Sequence, residues 1–224
     1  MRSSQTLTID ERSLIVALFS TLESHYGWFD WWPSDDHYEV MLGSILVQNT
    51  NWRNAQKSLD NLQEDLSPLA IEEMDLTLLA QKIRSSGYYN QKAKKIKAVT
   101  QWFANYEYQI EKVRQCSVEQ LRAELLSING VGGETADVIL TYAIGKPSFV
   151  IDAYARRIFS RFGHQVPKSY ETFRNQMQQA IQPETKTYAY YHGLMVEHGQ
   201  QFCLTKPKCE FCPLVATCRR VGVD

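Results

Sequence analysis

The chain has 224 residues, of which 44% are hydrophobic, so it is long enough and apolar enough to bury a substantial core. Its formal net charge of −1 excludes a globally basic surface, and any binding of nucleic acid must come from a local patch or from backbone groups. No apolar run approaches the roughly 18 residues of a membrane span, and the first apolar stretch follows acids, Asp10 and Glu11. We therefore expect a cytoplasmic globular protein without a membrane partner.

The hydrophobic spacing predicts helices along most of the chain. Apolar residues recur at intervals of three and four, and Gly, Pro, Asn and Asp residues separate the segments. Only residues 148–151 look extended, and no linker or clear internal repeat divides the chain. The segments predicted to be helical are, in chain order, 14–22, 38–46, 79–83, 93–103, 118–126, 135–143, 153–162 and 170–181.

Three glycines, Gly130, Gly132 and Gly133, stand between two of these predicted helices. A tight hairpin at this point needs residues that accept a positive φ and allow close approach of another backbone. The free amides at the start of the second helix would then form a site for a DNA phosphate that requires no net positive charge. Taken alone, however, such a pattern more often marks an ordinary turn between helices.

Asp152 ends a short apolar run and precedes the predicted helix 153–162. Aspartate is a favoured N-cap, although Ala155 at the third helical position excludes a capping box. A carboxylate placed behind apolar residues also suits catalysis, because it can stabilise a developing cation or activate water. The spacing by itself favours the cap, and the two roles are compatible.

Four of the five cysteines, at 203, 209, 212 and 218, are grouped near the C-terminus, separated by five, two and five residues. In a cytoplasmic chain this grouping favours a metal centre over disulfides, and the spacing is not the paired Cys-x2-Cys of a zinc ribbon. The remaining cysteine, Cys116, is expected to be a buried single thiol. Basic residues that would contact phosphates, or would equally be solvated surface residues, are Lys92, Lys94, Lys95, Lys206, Lys208, Arg219 and Arg220.

Together these motifs resemble the endonuclease III superfamily of helix-hairpin-helix DNA glycosylases. The resemblance rests on INGVGGETADVIL followed by FVIDAYARRIF, on LGSILVQNTNW, on GYYNQKAKKI and on the terminal cysteines. It implies an all-α, two-lobe fold. One lobe is a six-helix barrel over residues 36–142 that carries the helix-hairpin-helix at about 121–143, and the other combines residues 1–35 with 143–224.

The resemblance also implies site residues, a cofactor and a partner. Asp152 falls on the family's catalytic aspartate, and the partner is double-stranded DNA with a damaged base, bound by a monomer. The cysteines resemble the family's C-terminal [4Fe-4S] loop, although their first gap is one residue shorter than in the best-known members; zinc is the alternative. The implied cluster ligands are Cys203, Cys209, Cys212 and Cys218. The residues matched to DNA binding are Gln48 and Tyr88, whose loops fill the gap left by a flipped base, and Gly130, Val131, Gly132 and Thr135 of the hairpin.

Glu134 is a departure from the family's bifunctional members. Those members carry at this position a lysine that forms a Schiff base with the sugar and then cleaves the strand. Because a carboxylate cannot form a Schiff base, the resemblance implies a monofunctional enzyme that releases the base and leaves an abasic site. Glu134 therefore joins Asp152 among the candidate catalytic residues, but it is equally well explained as a surface acid that complements the helix dipole.

The aromatic residues point to a branch of the superfamily. Trp31, Trp32 and Pro33, together with Trp52, resemble the 3-methyladenine glycosylases, in which aromatic rings sandwich the extruded base. An N-alkylated purine is cationic and stacks well on tryptophan, although large aromatics usually belong to the core. The alternatives are a glycosylase for oxidised pyrimidines or mismatched bases, and a non-catalytic DNA-binding iron-sulfur protein. The histidines that no ligand spacing assigns are His25, His37, His164, His192 and His198.

Overall fold

The computed structural model describes residues 7–32 and 34–223, and the regular structure in these ranges is helical, with no β-strand. The predicted all-α class is therefore confirmed. None of the described helices is long and apolar enough to cross a membrane. The α-helices of the described ranges are α1 (Ile9–Tyr26), α2 (His37–Leu46), α3 (Trp52–Leu62), α4 (Pro68–Glu73), α5 (Leu76–Lys82), α6 (Tyr89–Ala104), α7 (Ile110–Arg114), α8 (Val118–Ser127), α9 (Gly133–Val138), α10 (Ala153–Phe162), α11 (Tyr170–Ala180) and α12 (Thr185–Gln201).

Each segment predicted to be helical coincides with a helix or overlaps one. Residues 148–151, which look extended in the sequence, form an irregular segment instead of a strand. The second helix of the hairpin is not uniform, since α9 continues as a π-helical segment, Ile139–Ile144. In the part of the chain that the structure describes, three short 3-10 turns add to the α-helices, at Gln63–Asp65, Arg84–Ser86 and Cys209–Phe211.

The hydrophobic spacing did not predict α3, α4, α7 and α12. The longest of these is α12, with 17 residues, and it is buried at consecutive positions from His192 to Val196. A helix that is buried on most sides shows no apolar stripe of period 3.6, and its sequence therefore gives no amphipathic signal. In α3 the buried residues Ala55, Ser58, Leu59 and Leu62 do lie on one face, so this helix carries an amphipathic pattern that the sequence prediction missed.

The chain divides into two compact units. One comprises Met1–Pro33 with Pro147–Asp224, and the other is Ser34–Lys146. The first unit, called here the terminal unit, contains α1, α10, α11, α12 and the cysteines from 203 to 218; the second, called the central unit, contains α2 to α9. The lobe boundaries implied by the resemblance, 36–142 and 1–35 with 143–224, stay a prediction.

The core of the terminal unit forms where α12 packs on α1 and α10. Phe19 of α1 makes an edge-to-face contact with Phe159 of α10, with ring centroids 5.7 Å apart, and stacks on Tyr191 of α12 at 4.0 Å. Both phenylalanines are completely buried or nearly so. Burial of these rings fixes the two helices that carry the polar residues described below.

The core of the central unit surrounds α2. Every residue of α2 from Tyr38 to Leu46 is buried except Glu39, so this helix is enclosed by its neighbours. The hydroxyl of Tyr38 is hydrogen-bonded to Thr100 Oγ1 of α6 at 2.6 Å, and this bond satisfies two buried polar groups. Because α2 is held in this way, the chain that leaves its C-terminal end starts from a fixed position.

Candidate functional site

The glycine hairpin joins α8 to α9 in the central unit. Gly130 has φ +87°, a left-handed conformation that favours glycine, and a Cβ atom at this position would also displace the flexible side chain of Lys95. Gly132 differs, since its φ is −94° and a Cβ atom would meet nothing within 4 Å. The sequence prediction that the hairpin glycines supply positive φ holds for Gly130 and not for Gly132.

A buried ion pair fastens the two hairpin helices to each other. Arg122 of α8 donates from Nε to Oδ1 of Asp137 in α9 at 2.8 Å, and from its terminal nitrogen to Oδ2 at 3.2 Å. Asp137 is completely buried. This bidentate geometry fixes the angle between the helices, and loss of either partner would leave an uncompensated buried charge.

Gln48 lies in the loop between α2 and α3, here called the Gln48 loop (residues 47–51). Its Nε2 donates to Thr135 Oγ1 at 2.8 Å, and its Oε1 accepts a hydrogen bond from Lys95 Nζ at 2.6 Å. The structure thus brings together Gln48 and the hairpin, which the resemblance had assigned separately to DNA binding. Lys95 is half-buried and bonded in this cluster, so it is not a freely solvated lysine.

Tyr88 lies in the short loop before α6, here called the Tyr88 loop (residues 87–88). Its side chain is 72% exposed, and its φ of +46° places it in the left-handed region that non-glycine residues seldom occupy. An exposed aromatic ring on a constrained backbone is a suitable shape for a residue that enters a base stack. Its role in DNA binding stays a prediction.

Lys92 is buried and does not contact solvent as a phosphate-binding lysine would. The basic run after Tyr88 suggested phosphate contacts, yet Lys92 is only 1% exposed, and its Nζ donates to the carbonyl oxygens of Leu46 and Ser86. Burial lowers the pKa of this ammonium group to about 8, with a smaller contribution from the neighbouring Lys95 charge. Lys94, in contrast, is exposed.

Asp152 is the N-cap of α10, as the sequence predicted. Its Oδ1 accepts a hydrogen bond from the backbone amide of Ala155 at 2.7 Å, and the residue is 8% exposed. Its other oxygen, Oδ2, lies 3.6 Å from Nε2 of His192 in α12. Sequence reasoning left His192 unassigned, because no spacing links it to Asp152.

The aromatic residues 28–32, here called the aromatic segment, pack partly on α12 of the terminal unit. Gly193, next in sequence to His192, leaves no room for a side chain, since a Cβ atom would lie 2.8 Å from Trp31 Cβ and 3.2 Å from Phe29. Trp31 and Trp32 are half-buried and are therefore neither core residues nor free surface residues. Pro33 of the same motif lies outside the described residues.

Two further candidates are less constrained. Trp52 is half-buried and is the first residue of α3, so it belongs to the central unit, whereas Trp31 and Trp32 belong to the terminal unit. Glu134 is exposed in the first turn of α9, where a carboxylate interacts favourably with the helix dipole. This position agrees with both interpretations given for Glu134 from the sequence.

The four grouped cysteines line one cavity of the terminal unit, and all are free thiols. Arg161 approaches Cys203 Sγ at 3.4 Å, and His198 Nε2 lies 3.5 Å from Cys212 Sγ. Within residues 7–32 and 34–223, no three Cys, His, Asp or Glu side chains converge as the ligands of one metal ion would. Thiols ligate zinc and iron-sulfur clusters alike, so the residue types at this cavity suit either group.

The remaining residues of the cysteine prediction are placed as follows. Cys116 is half-buried and not buried as expected, and its Sγ lies 3.7 Å from the hydroxyl of Tyr106. The basic residues that follow the cluster ligands are exposed, namely Lys206, Lys208, Arg219 and Arg220. They remain candidates for phosphate contacts.

Comparison with known proteins gives a consistent picture. The model of the HhH-GPD superfamily base excision DNA repair proteins matches residues 42–183. The DNA repair glycosylase candidate MJ1434 of Methanocaldococcus jannaschii is 40% identical over 210 residues, which cover 92% of this chain and 96% of that protein.

Solved structures agree with this match. The 3-methyladenine DNA glycosylase MagIII of H. pylori, bound to 1,N6-ethenoadenine, is similar with a TM-score of 0.70 and 26% identity, over 85% of this chain and 97% of that chain. A non-covalent complex of endonuclease III with DNA is similar with a TM-score of 0.78 and 22% identity, over 96% and 97% of the two chains. The second likeness concerns the fold alone.

Proposed function

The chain belongs to the HhH-GPD superfamily of base excision DNA repair proteins, and from this membership we propose that it is a monofunctional DNA glycosylase for alkylated purines. The membership itself establishes a base excision repair DNA glycosylase. The proposal adds the substrate, a base such as 3-methyladenine in double-stranded DNA, and the absence of lysine-dependent strand cleavage. We further propose that the enzyme acts as a monomer.

One observation carries the choice of substrate. Trp31 packs on Gly193 of α12, and the neighbouring residue, His192, faces the carboxylate of Asp152. An aromatic surface and an acid are thereby anchored to one helix of the terminal unit. A flipped N-alkylated purine carries a positive charge, so it gains from stacking on tryptophan and is already a good leaving group.

Asp152 supplies the chemistry in this proposal. One carboxylate oxygen is used by the helix cap, and the second, which lies 3.6 Å from His192 Nε2, would carry the electrostatic work. As the glycosidic bond breaks, positive charge develops on the sugar, and a nearby carboxylate in a poorly hydrated position stabilises it. The same carboxylate can orient the water that attacks the sugar carbon, which leaves an abasic site.

The hairpin supplies binding to the DNA backbone. Gly132 has open space where a side chain would stand, and the helix that follows begins with amides that lack intrahelical acceptors. These amides can donate to a phosphate without a positively charged side chain, which suits a chain of net charge −1. Gln48 and Tyr88 would fill the space that the flipped base leaves.

Glu134 supports the monofunctional part of the proposal. It occupies the exposed first turn of α9, at the position where the bifunctional relatives in the resemblance have their lysine. A carboxylate has no lone pair on nitrogen and cannot form a Schiff base with the opened sugar. Water is therefore the nucleophile.

A [4Fe-4S] cluster is the cofactor that we propose for the cysteine cavity. Cys203, Cys209, Cys212 and Cys218 would be its ligands, and the nearby guanidinium of Arg161 would offset their thiolate charge. When bound, the cluster would cross-link a segment that has little regular structure of its own. The exposed lysines and arginines around that segment would then be held in a fixed arrangement for phosphate contacts.

A panel of oligonucleotide duplexes, each with one damaged base, tests the proposed function. Base release from duplexes that contain N-alkylated purines is expected, and release should be much weaker from those with oxidised pyrimidines or mismatches. Preferential release of an oxidised pyrimidine or a mismatched base would replace the substrate. Binding without any release, with the cluster present, would instead favour the non-catalytic alternative.

A further inference from the structure

Lys92 is a lysine that contacts neither solvent nor an acid. It is 1% exposed, and its Nζ donates to the carbonyl oxygen of Leu46 at 2.8 Å and to that of Ser86 at 2.6 Å. An ammonium group without solvent is costly unless its donors are used, so these two bonds account for its presence in the interior. They also exclude a direct contact between this lysine and a DNA phosphate.

The two acceptors stand at equivalent places in the chain. Leu46 is the last residue of α2, and Ser86 is the last residue of the 3-10 turn before α6. Carbonyl groups at the C-terminal end of a helix lack donor partners within the helix, and a cation there is favourable. Each acceptor comes two residues before the residue that is assigned to DNA insertion, Gln48 in one case and Tyr88 in the other.

We propose that Lys92 is a positioning residue that holds the Gln48 loop and the Tyr88 loop at a fixed separation, so that both can enter the DNA stack at one extruded base. The proposal rests on the function given above, since it concerns the step at which the base leaves the duplex. Lys92 acts through the two loops and does not touch the substrate.

The backbone of Lys92 adds to the restraint. Its amide donates to the carbonyl oxygen of Tyr88 at 3.0 Å, so the same residue holds the Tyr88 loop on both sides. Tyr88 has a positive φ, a conformation that costs a non-glycine residue on the order of 1 kcal/mol and persists only where surrounding contacts enforce it. The side chain itself is left 72% exposed.

Lys95 extends the arrangement to the side chain of Gln48. One helical turn after Lys92, it donates from Nζ to Gln48 Oε1, and Gln48 in turn donates to Thr135 of the hairpin. Helix α6 therefore fixes the backbone at the start of the Gln48 loop through Lys92 and the Gln48 side chain through Lys95. Hydrogen bonds therefore tie both loops to the single helix α6, and the hairpin is tied to it through Gln48, all within the central unit.

Helix α6 also offers a matched control. Lys97 donates from Nζ to two carbonyl oxygens as well, those of Glu72 at 2.8 Å and of Met74, at the end of α4. Its bonds have the same chemistry but serve a part of the chain without a predicted role in DNA binding. Lys97→Met therefore removes an equivalent pair of hydrogen bonds away from the two loops.

The test compares base release from duplex and from single-stranded DNA that carry the same alkylated purine, in single turnover. Lys92→Met should slow release from the duplex by at least about tenfold, because misplaced loops no longer compensate for unstacking, and should change release from the single strand by less than about twofold. Lys92→Arg should recover most of the duplex rate. Lys97→Met should leave the ratio of the two rates as in the wild type.

Equal losses on both substrates, or no loss on either, would overturn the positioning role. If Lys92→Met does not fold, Lys92→Arg and Lys92→Gln are compared in the same assay, and equal duplex-to-single-strand ratios for these two variants would also overturn it.

A second readout separates this proposal from the proposed function. The fluorescence of 2-aminopurine placed beside an abasic-site analogue reports unstacking upon binding and requires no base release. If the wild type releases no base from any duplex, the proposed function fails, while a smaller fluorescence increase for Lys92→Met than for Lys97→Met still supports the positioning role. Equal increases for the two variants would contradict it.

Discussion

Asp152 and His192 face each other in the terminal unit, with Oδ2 and Nε2 3.6 Å apart and with only about a tenth or less of each side chain exposed. Asp152 caps α10 and His192 lies in α12, and one aromatic ring of each helix contacts Phe19 of α1. The carboxylate is thus held on one side by its own helix cap and on the other by a histidine. We expect this arrangement to fix the orientation of Asp152 and not only its position.

This pair predicts a non-additive pattern of rates. Asp152→Asn keeps the cap and the shape but loses the charge, so single-turnover base release should fall by at least ~10²-fold while DNA binding persists. His192→Phe should slow base release by about tenfold in the wild-type background and by less than about twofold in the Asp152→Asn background, since the histidine acts through the carboxylate.

His164→Phe is the control for that cycle, because His164 is also buried in the terminal unit but bonds to Gln176. It should leave the rate of base release unchanged. Additive effects of the substitutions at 152 and 192 would show that His192 does not act through Asp152. Full activity of Asp152→Asn would reduce that residue to a helix cap.

The second prediction concerns the product. With Glu134 in the place of the lysine, the wild-type enzyme should leave an intact strand with an abasic site, which breaks only after treatment with alkali. Borohydride added during the reaction should trap no covalent complex with DNA, as judged by gel electrophoresis. Trapping would show that another amine of this chain does the lysine's chemistry.

The third prediction concerns the hairpin. Because a side chain at Gly132 would meet nothing within 4 Å and its φ is ordinary, Gly132→Val should fold with an unchanged melting temperature. It should nevertheless weaken binding to any duplex, damaged or not. The slope of the logarithm of the binding constant against the logarithm of the salt concentration should become shallower by about one, which corresponds to one lost phosphate contact. Unchanged affinity, measured by titration at several salt concentrations, would mean that the glycine only makes a turn.

The fourth prediction concerns the cofactor. Purified protein should be brown and contain about four iron and about four sulfide per chain, as measured by colorimetric assays. Cys212→Ala should lose the colour and reduce solubility or DNA affinity more than the chemical step. Cys116→Ala, which removes the fifth cysteine, should keep the iron content of the wild type. Zinc in place of iron would contradict the cluster.

The fifth prediction uses the buried ammonium of Lys92. Its pKa lies at about 8 in the native protein, whereas an unfolded lysine titrates near 10.4. Between these values the unfolded chain binds more protons than the native one, so this group makes the free energy of unfolding rise with pH, by at most about 1.4 kcal/mol per pH unit.

Urea denaturation of the wild type and of Lys92→Met from pH 7 to 10 measures this contribution. The methionine variant lacks the group and therefore this pH dependence. The free energy of unfolding of the wild type minus that of Lys92→Met should therefore increase as the pH rises through this window. A constant difference between the two proteins would show that the pKa of Lys92 is not lowered.

Much of the fold could be predicted from local patterns. The helices α2, α8 and α10 were placed within one or two residues, because each begins at a polar capping residue and carries apolar residues at regular spacing. The cap formed by Asp152 follows from the same local rules. Local patterns failed for α12, where burial on most sides removes the periodic signal.

The position of Lys92 could have been found. It stands four residues before Ile96, which continues with Val99 and Phe103 along the buried face of α6, so helical spacing alone puts Lys92 on that face. The surrounding lysines at 94, 95 and 97 obscured this and suggested a solvated basic run. What the spacing does not give is the pair of carbonyl groups that makes the burial tolerable.

The sequence by itself therefore determined the helical class, the hairpin, the capping aspartate and the grouping of the cysteines, all of which depend on residues close together along the chain. Only the tertiary structure decided which polar groups meet. Lys92 and Leu46 are 46 residues apart, and His192 and Asp152 lie on different helices. Local propensities do not constrain such contacts, because they form only when the burial of apolar faces brings distant helices together.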